Sequence, residues 1–278
     1  LADLNVGIAG SANSALMTAL FIVGFGVKAG LPLLHFWLPL AHPVAPTPAS
    51  AVLSGAMIKA GLLGWLLTLP IGEAGWFAWG QFLMLMGFAG ALGAAVFGVR
   101  QRDHKTVLAW SSISQMGLLT VLAGATLAVP GQVSALLPVI GVFALHHGLA
   151  KGCLFLAVGL VIPTHRLLRW VVWLLLALPG LSLLGLPLTS GQFAKGVMKD
   201  ALLGQPDLPL YGLLPLLLQA TTLATLALLV RYGWLLGRQL EGGNIPATRW
   251  LGWALAVLCS AVVFWYLPTV TSVMSARS

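Results

Sequence analysis

Apolar residues fill long stretches of this chain, and polar residues are confined to the short gaps between them. Eight such stretches, at 14–40, 48–69, 77–99, 106–128, 133–162, 167–203, 210–230 and 250–267, each approach or exceed the length a helix needs to cross a bilayer. Segments spanning lipid must satisfy their own backbone hydrogen bonds, so these stretches predict helices. No gap is long enough to hold a soluble domain. The pattern predicts an all-α, polytopic transmembrane bundle of about eight spans, one transmembrane domain over residues 1–278.

Two stretches are not simple helices. The first reads GFGVKAGLPLLHFWLPLAHPVAPTP, with Gly30 and Pro32 directly after Lys28. The sixth reads LPGLSLLGLPLTSGQFAKGVMKD, with Pro187, Ser190 and Gly191 just before Lys195. Proline removes a backbone donor and clashes with the preceding turn, so each segment is predicted to break near its middle. Broken helices at membrane depth persist where they are buried in protein or line a cavity. Paired breaks in two halves of a transporter point to its ion site. Each broken stretch is followed by another hydrophobic helix, so 14–69 and 167–230 read as matching ends of two repeats. Proline kinks serving packing alone are the plain alternative; a lysine beside each break argues against it.

Lys28, Lys59, Lys151, Lys195 and Lys199 lie in or beside these spans, the first four deep within them. An ammonium at mid-membrane depth costs about 2.5–3.5 kcal/mol on insertion scales, so such lysines mark function by default. Hemmed by glycine and small residues, the four predict a buried polar path. Lys28 should end a half-helix, where the dipole favours a cation, and Lys195 should sit in the first turns of one, where it does not. Lys59 falls among Gly55, Gly61 and Gly64, which would serve close helix packing, a crevice for the ammonium, or both. In FALHHGLAKGCLF, His147 and Lys151 are four apart and share a helix face, a spacing suited to a proton relay. His146 points elsewhere and is assigned the plain role of a core histidine bonded to a neighbour. His35 continues the row; His42, beside Pro43, is expected in a loop as a surface or capping residue. Asp200 is expected to pair with Lys199 at the membrane edge.

Composition narrows the function classes. Of the residues, 59% are hydrophobic and 7% charged, which excludes an ordinary soluble globule. The net charge of +8 is scattered over short loops and is no signal for nucleic acid. Cations concentrate in the odd-numbered loops: Arg100, Arg102 and Lys105; Arg166 and Arg169; Arg231, Arg238 and Arg249. Even-numbered loops carry Glu73 and Asp207. The bias places the odd loops on the cytoplasmic side and both chain ends outside. Cys153 and Cys259 share no ligand spacing and read as buried thiols. No metal site, cysteine cluster or nucleotide loop is present, so no cofactor is expected on this chain. The sequence opens at Leu1 with neither methionine nor a signal-like stretch, so further front helices are expected from elsewhere.

GVKAGLPLLHFWLPLAHPVAPTPASAVLSGAMIKAG, then RQRDHKTVLAWSSISQMGLL, HHGLAKGCLFLAVG and LPLTSGQFAKG, resemble in sequence and order the antiporter-like membrane subunits of respiratory complex I, Mrp antiporters and membrane-bound hydrogenases. The resemblance covers nearly the whole chain and implies an inverted-repeat antiporter-like fold, its C-terminal portion. It implies that Lys28 is the lysine of the first broken helix, Lys59 that of the next helix, Lys151 the connecting lysine and Lys195 that of the second broken helix. By the same likeness Ser111, Ser112, Ser114 and Gln115 belong to a segment more structural than conductive. The family's glutamate partner for Lys28 is absent, since Glu73 and Glu241 fall in loops. A second subunit, or an unseen part of the same polypeptide, would supply it.

These readings predict a proton-translocating subunit of a redox-driven respiratory or hydrogenase-type complex in a bacterial inner membrane. Protons would move through Lys28, Lys59, Lys151, Lys195, His147 and His35, with electron chemistry on other subunits. The alternatives are an Mrp-type cation/proton antiporter subunit and a non-conducting scaffold.

Overall fold

The computed structural model describes residues 2–160, 166–238 and 246–275, with side chains described for 5–160, 167–238 and 246–262. It is built of helices, with no strand among the described residues. A short helix α1 (Ala2–Ala9), which the apolar pattern does not predict, precedes α2 (Ser14–Ala29). After a break come α3 (Trp37–Val44) and a span made of α4 (Thr47–Val52), a π turn (Leu53–Met57) and α5 (Lys59–Thr68). The remaining helices are α6 (Phe77–Gly98), α7 (His104–Ala128), α8 (Val133–Val158), α9 (Arg166–Leu184), α10 (Ser190–Leu203), α11 (Leu214–Arg238) and α12 (Ala247–Ser275).

Among the described residues six helices are long and apolar enough to cross a membrane, and α2 and the described part of α12 are shorter apolar helices. Together they account for the eight predicted spans, and the chain is an integral membrane protein. The end of the fifth stretch, Arg166's side chain, Glu241 and the side chains that close the eighth stretch lie outside the described residues.

Both predicted breaks are present and share one backbone. Gly30 (φ 80°) and Gly185 (φ 81°) turn left-handed, and Leu33 (φ 70°) and Leu188 (φ 64°) do so three residues later. The two segments read Gly-Leu-Pro-Leu at 30–33 and 185–188. Glycine takes the left-handed position freely, whereas a leucine there costs about 1–2 kcal/mol. At the first break the Gly30 and Leu31 amides both donate to Gly26 O (3.0 and 2.9 Å), which caps α2. Trp37 Nε1 then donates to Val27 O at 2.7 Å and ties α3 back to α2.

α7 is the centre of the bundle: every residue from Val107 to Ala128 is buried. It reaches this position through glycine. A Cβ on Gly117 would lie 2.5 Å from Gly87 O, and one on Gly124 would lie 2.7 Å from Gly80 O. These two pairs, seven residues apart on each helix, let the α6 and α7 backbones touch. Ser114 Oγ donates to Ala91 O (2.9 Å) and Gln115 Nε2 to Thr225 Oγ1 (2.9 Å), fastening α7 to α6 and α11. That part of the segment is structural, as the resemblance implies.

Candidate functional site

The site begins at the π turn. Ile58 N–H donates to Leu53 O (3.2 Å), one residue further back than in an α-helix. Ser54 O, which an α-helix would commit to that amide, accepts instead from Lys59 Nζ at 2.6 Å. Ser54 Oγ lies 2.6 Å from Ser112 Oγ of α7. Ser112 Oγ donates to Leu108 O at 2.9 Å, and Leu108 O also accepts from Lys151 Nζ of α8 at 3.1 Å. Lys59 and Lys151 thus stand at the two ends of a polar string crossing three helices, in which the Ser54–Ser112 hydroxyl pair lies between two backbone carbonyls, Ser54 O and Leu108 O, that only accept. Ser54, Ser112 and Lys151 are buried. Ser112 bonds to both neighbours, a packing role that also places a hydroxyl in the string, and no sequence signal marked Ser54.

Glycines fix the approach of α8. A Cβ on Gly148 would lie 2.7 Å from Gly55 O and 3.7 Å from Lys59 Nζ, so the ammonium rests against the α8 backbone beside His147. Gly61 and Gly64 serve packing: a Cβ on Gly61 would meet Ala29 N at 2.5 Å, and one on Gly64 would strike the Phe25 ring. Both readings of the glycine-lined face hold, at different glycines. His147 is fully buried, one turn before Lys151, and neither ring nitrogen has a protein hydrogen-bond partner. The shared face with Lys151 is as predicted.

His42 corrects the sequence reading. It is fully buried within α3 and its ring stacks on Phe155 of α8, centroids 4.4 Å apart. Phe155 stands one helical turn beyond Lys151, so His42 is a core residue near the string and no loop cap. Pro43 falls in the last turn of α3. His35 is not joined to the string; its ring stacks on Phe36 (4.7 Å) and meets Trp110 edge-on (5.1 Å), with both nitrogens unpartnered.

Around the second break lies a separate cluster. Lys195 is 5% exposed, its Nζ has no hydrogen-bond partner, and its stem folds back over Gly185. It sits in the second turn of α10, beyond the first turn where a helix dipole acts most strongly. Next to it His146 Nδ1 lies 3.1 Å from Ser190 Oγ and 3.4 Å from Ser182 Oγ, and the two hydroxyls are 2.9 Å apart. Ser182 Oγ also accepts from Gly191 N–H at 3.1 Å. His146 is bonded as a core histidine should be, but its partners are hydroxyls on either side of the break. Ser182 escaped the sequence reading, and Ser190 entered it only as part of the break, because small polar residues in an apolar run carry no distinctive spacing.

Lys28 departs from the others. It lies in the last turn of α2, capped by Gly30, as the break predicts. Yet it is exposed, on a face that also presents Gly24 and Leu20. The buried path expected of four lysines therefore holds for Lys151 and Lys195, with Lys59 half-buried, and Lys28 opens on the chain's own surface. The predicted Lys199–Asp200 pair is also absent, since no salt bridge joins them among the described residues. Adjacent helical residues point about 100° apart.

A family model described as "NADH:quinone oxidoreductase/Mrp antiporter, TM" matches residues 3–204. Hydrogenase-4 component B of Escherichia coli is 37% identical over 163 residues, covering 55% of this chain and 24% of that protein. NADH-ubiquinone oxidoreductase chain 4 of Triticum aestivum is 31% identical over 168 residues, covering 58% and 32%. A chain in the structure of the Mrp complex from Dietzia sp. DQ12-45-1b superposes with a TM-score of 0.73 at 27% identity, over 92% of this chain and 29% of that one. The chain thus spans roughly a quarter to a third of each of these proteins. On the family match and the shared fold, this chain belongs to the NADH:quinone oxidoreductase/Mrp antiporter transmembrane family.

Proposed function

We propose that this chain moves protons through the membrane along a row of lysine, histidine and hydroxyl groups, as one subunit of a redox-driven complex of the respiratory or hydrogenase type. The observation that carries the reading is the string from Lys59 through Ser54, Ser112 and Leu108 O to Lys151. Hydroxyls and amines both donate and pass protons, whereas the two carbonyls only accept, so water beside them would carry the proton between the hydroxyl pair and each lysine; in hydrocarbon an inert anchor would be more stable with leucine at these positions. Among the described residues no carboxylate is buried, so a desolvated sodium ion would find no anionic ligand in this chain. The likeness to a chain of an Mrp complex keeps the cation/proton antiporter as the second reading.

Electron chemistry belongs, in this proposal, to other subunits, which drive the row through charge and hydration. A further helix carrying a carboxylate covers the Lys28 face, from the same polypeptide or another. The cation-rich odd loops face the cytoplasm of a bacterial inner membrane.

The test is the assembled complex in sealed vesicles, with Lys151→Met and Lys195→Met made singly. Loss of proton uptake with subunits still assembled supports the proposal. Unchanged uptake in both identifies the chain as a scaffold, and sodium-dependent exchange identifies the antiporter.

A further inference from the structure

The serine pair at the second break has two sides. Toward the bundle interior it meets His146 Nδ1, with Ser190 Oγ at 3.1 Å and Ser182 Oγ at 3.4 Å. Toward α12 the same two serines line a cavity of about 240 Å³, together with Thr189, Ser260, Leu188 and Val257. That volume has room for several water molecules, and four hydroxyl-bearing residues on its half-open, largely apolar wall offer them partners. Among the described residues the remaining lining is apolar.

The hydrogen-bond inventory of the cluster gives it a property that a packing contact would lack. A hydroxyl carries one donor and two acceptor sites, and an imidazole nitrogen is either donor or acceptor. Ser182 Oγ spends one acceptor site on Gly191 N–H, which holds it in place across the break. If Nδ1 carries a proton, it donates to Ser190, and Ser190 donates to Ser182. If Nδ1 is bare, Ser182 donates to Ser190 and Ser190 donates to Nδ1. Both arrangements use the same heavy-atom positions. Only hydroxyl protons turn.

We propose that the Ser182–Ser190 hydroxyl pair is a side port, relaying protons between His146 and water held in the cavity against α12. This rests on the proton-conducting reading above and adds an exchange point that the lysine row alone does not provide. The step balances. A proton arriving on Ser182 Oγ from cavity water displaces that hydroxyl's own proton to Ser190 Oγ. Ser190 in turn passes its proton to His146 Nδ1, and rotation of both hydroxyls restores the starting state. Nδ1 ends one proton richer and the cavity water one poorer. His146 Nε2, buried and without a protein partner, is the atom left to pass a proton onward. Ser182 and Ser190 are positioning and relay groups, and Lys195 stands close enough for its ammonium to act on the imidazole electrostatically.

Two arms test this in the assembled complex. The first reads water without requiring pumping. Ser260, 6% exposed, is replaced (Ser260→Cys) in a Cys259→Ala background and treated with 2-aminoethyl methanethiosulfonate, which reacts with hydrated thiolate. The comparison is native Cys259, which, unlike Cys153 and contrary to the buried thiol the sequence predicts, is exposed on α12 because it faces away from the bundle. Modification at least tenfold faster at position 260 is expected. A rate no faster than that of Cys259 means a dry cavity and overturns the port.

The second arm measures proton uptake and its solvent deuterium isotope effect in Ser182→Ala, Ser190→Ala and the double variant. Each single variant should lose tenfold or more and the double little beyond that, because the two hydroxyls act as a unit. Ser190→Thr, which keeps the hydroxyl, should recover uptake and the isotope effect; a purely structural serine would be indifferent to deuterium. Wild-type uptake in both alanine variants, alongside a block in Lys151→Met, overturns the port and leaves the lysine row standing.

Discussion

Ser112→Ala separates conduction from folding more cleanly than any lysine change. The side chain makes two contacts, 2.6 Å to Ser54 Oγ and 2.9 Å to Leu108 O, and it is fully buried on the central helix. Hydroxyl hydrogen bonds inside membrane proteins average about 0.6 kcal/mol each, so losing both costs about 1 kcal/mol and leaves assembly intact. The kinetic cost is larger. Without the hydroxyl, Ser54 Oγ loses its partner on α7 and the polar string is interrupted between Lys59 and Lys151. A single deleted oxygen leaves too little room for a water molecule to replace it. Each tenfold in rate corresponds to about 1.4 kcal/mol of barrier, so a bridge lost at this point should slow transfer at least tenfold. Proton uptake by vesicles containing the complex, followed by a pH-sensitive dye at matched subunit content, reads the effect. Ser112→Thr and Ser112→Cys provide the controls, one retaining the hydroxyl and the other a weak thiol donor. Wild-type uptake in Ser112→Ala, with Lys151→Met blocked, would refute the string as the route between the two lysines.

Three further outcomes follow from the packing. Gly117→Val drives side-chain atoms into the Gly87 carbonyl, a backbone group that cannot rotate away, and should cost about 3 kcal/mol, seen as a lower unfolding temperature in detergent. Leu33→Gly releases a left-handed leucine that is 79% exposed and should raise stability by about 1 kcal/mol, whereas Leu33→Val should lower it; thermal scans of the two variants decide. His42→Phe keeps the stack on Phe155 and removes only ring nitrogens that have no protein partner, so stability should hold or rise. A fall in proton uptake in that stable variant would add His42 to the conducting row, and unchanged uptake would leave it as packing.

What the sequence discloses here divides along a physical line. Span positions and breaks are properties of single segments. Apolar run length sets the first, and glycine and proline in the Gly-Leu-Pro-Leu segments set the second, so both are legible. Lys28 at the end of α2 and Lys151 one turn after His147 are legible for the same reason. Partner choice is not a segment property. The π turn at Leu53–Met57 has no composition of its own, and it alone frees Ser54 O for Lys59. Ser112 became part of the string because the glycine seam brings α7 to the centre. His42 looked like a loop residue from Pro43, and only the approach of Phe155 makes it core. Exposure of Lys28 depends on which neighbours pack against α2, which its own sequence does not state.

The way the charges are held suggests why lysine serves where a fixed ion pair would not. Lys59 and Lys151 are each tethered to a backbone carbonyl, at 2.6 and 3.1 Å, and no buried carboxylate among the described residues competes for them. A carboxylate beside an ammonium would hold the proton against several kcal/mol of lost Coulomb energy on release. A carbonyl dipole orients the amine whether it is charged or neutral, at far smaller penalty for the change. Lys195 and His147 lack even that tether, so their protons answer most directly to nearby charge and water. A row built this way is stiff in geometry at Lys59 and Lys151, and soft in charge at His147 and Lys195. Incoming charge from a neighbouring subunit would therefore move protons without first having to break a salt bridge to these lysines among the described residues.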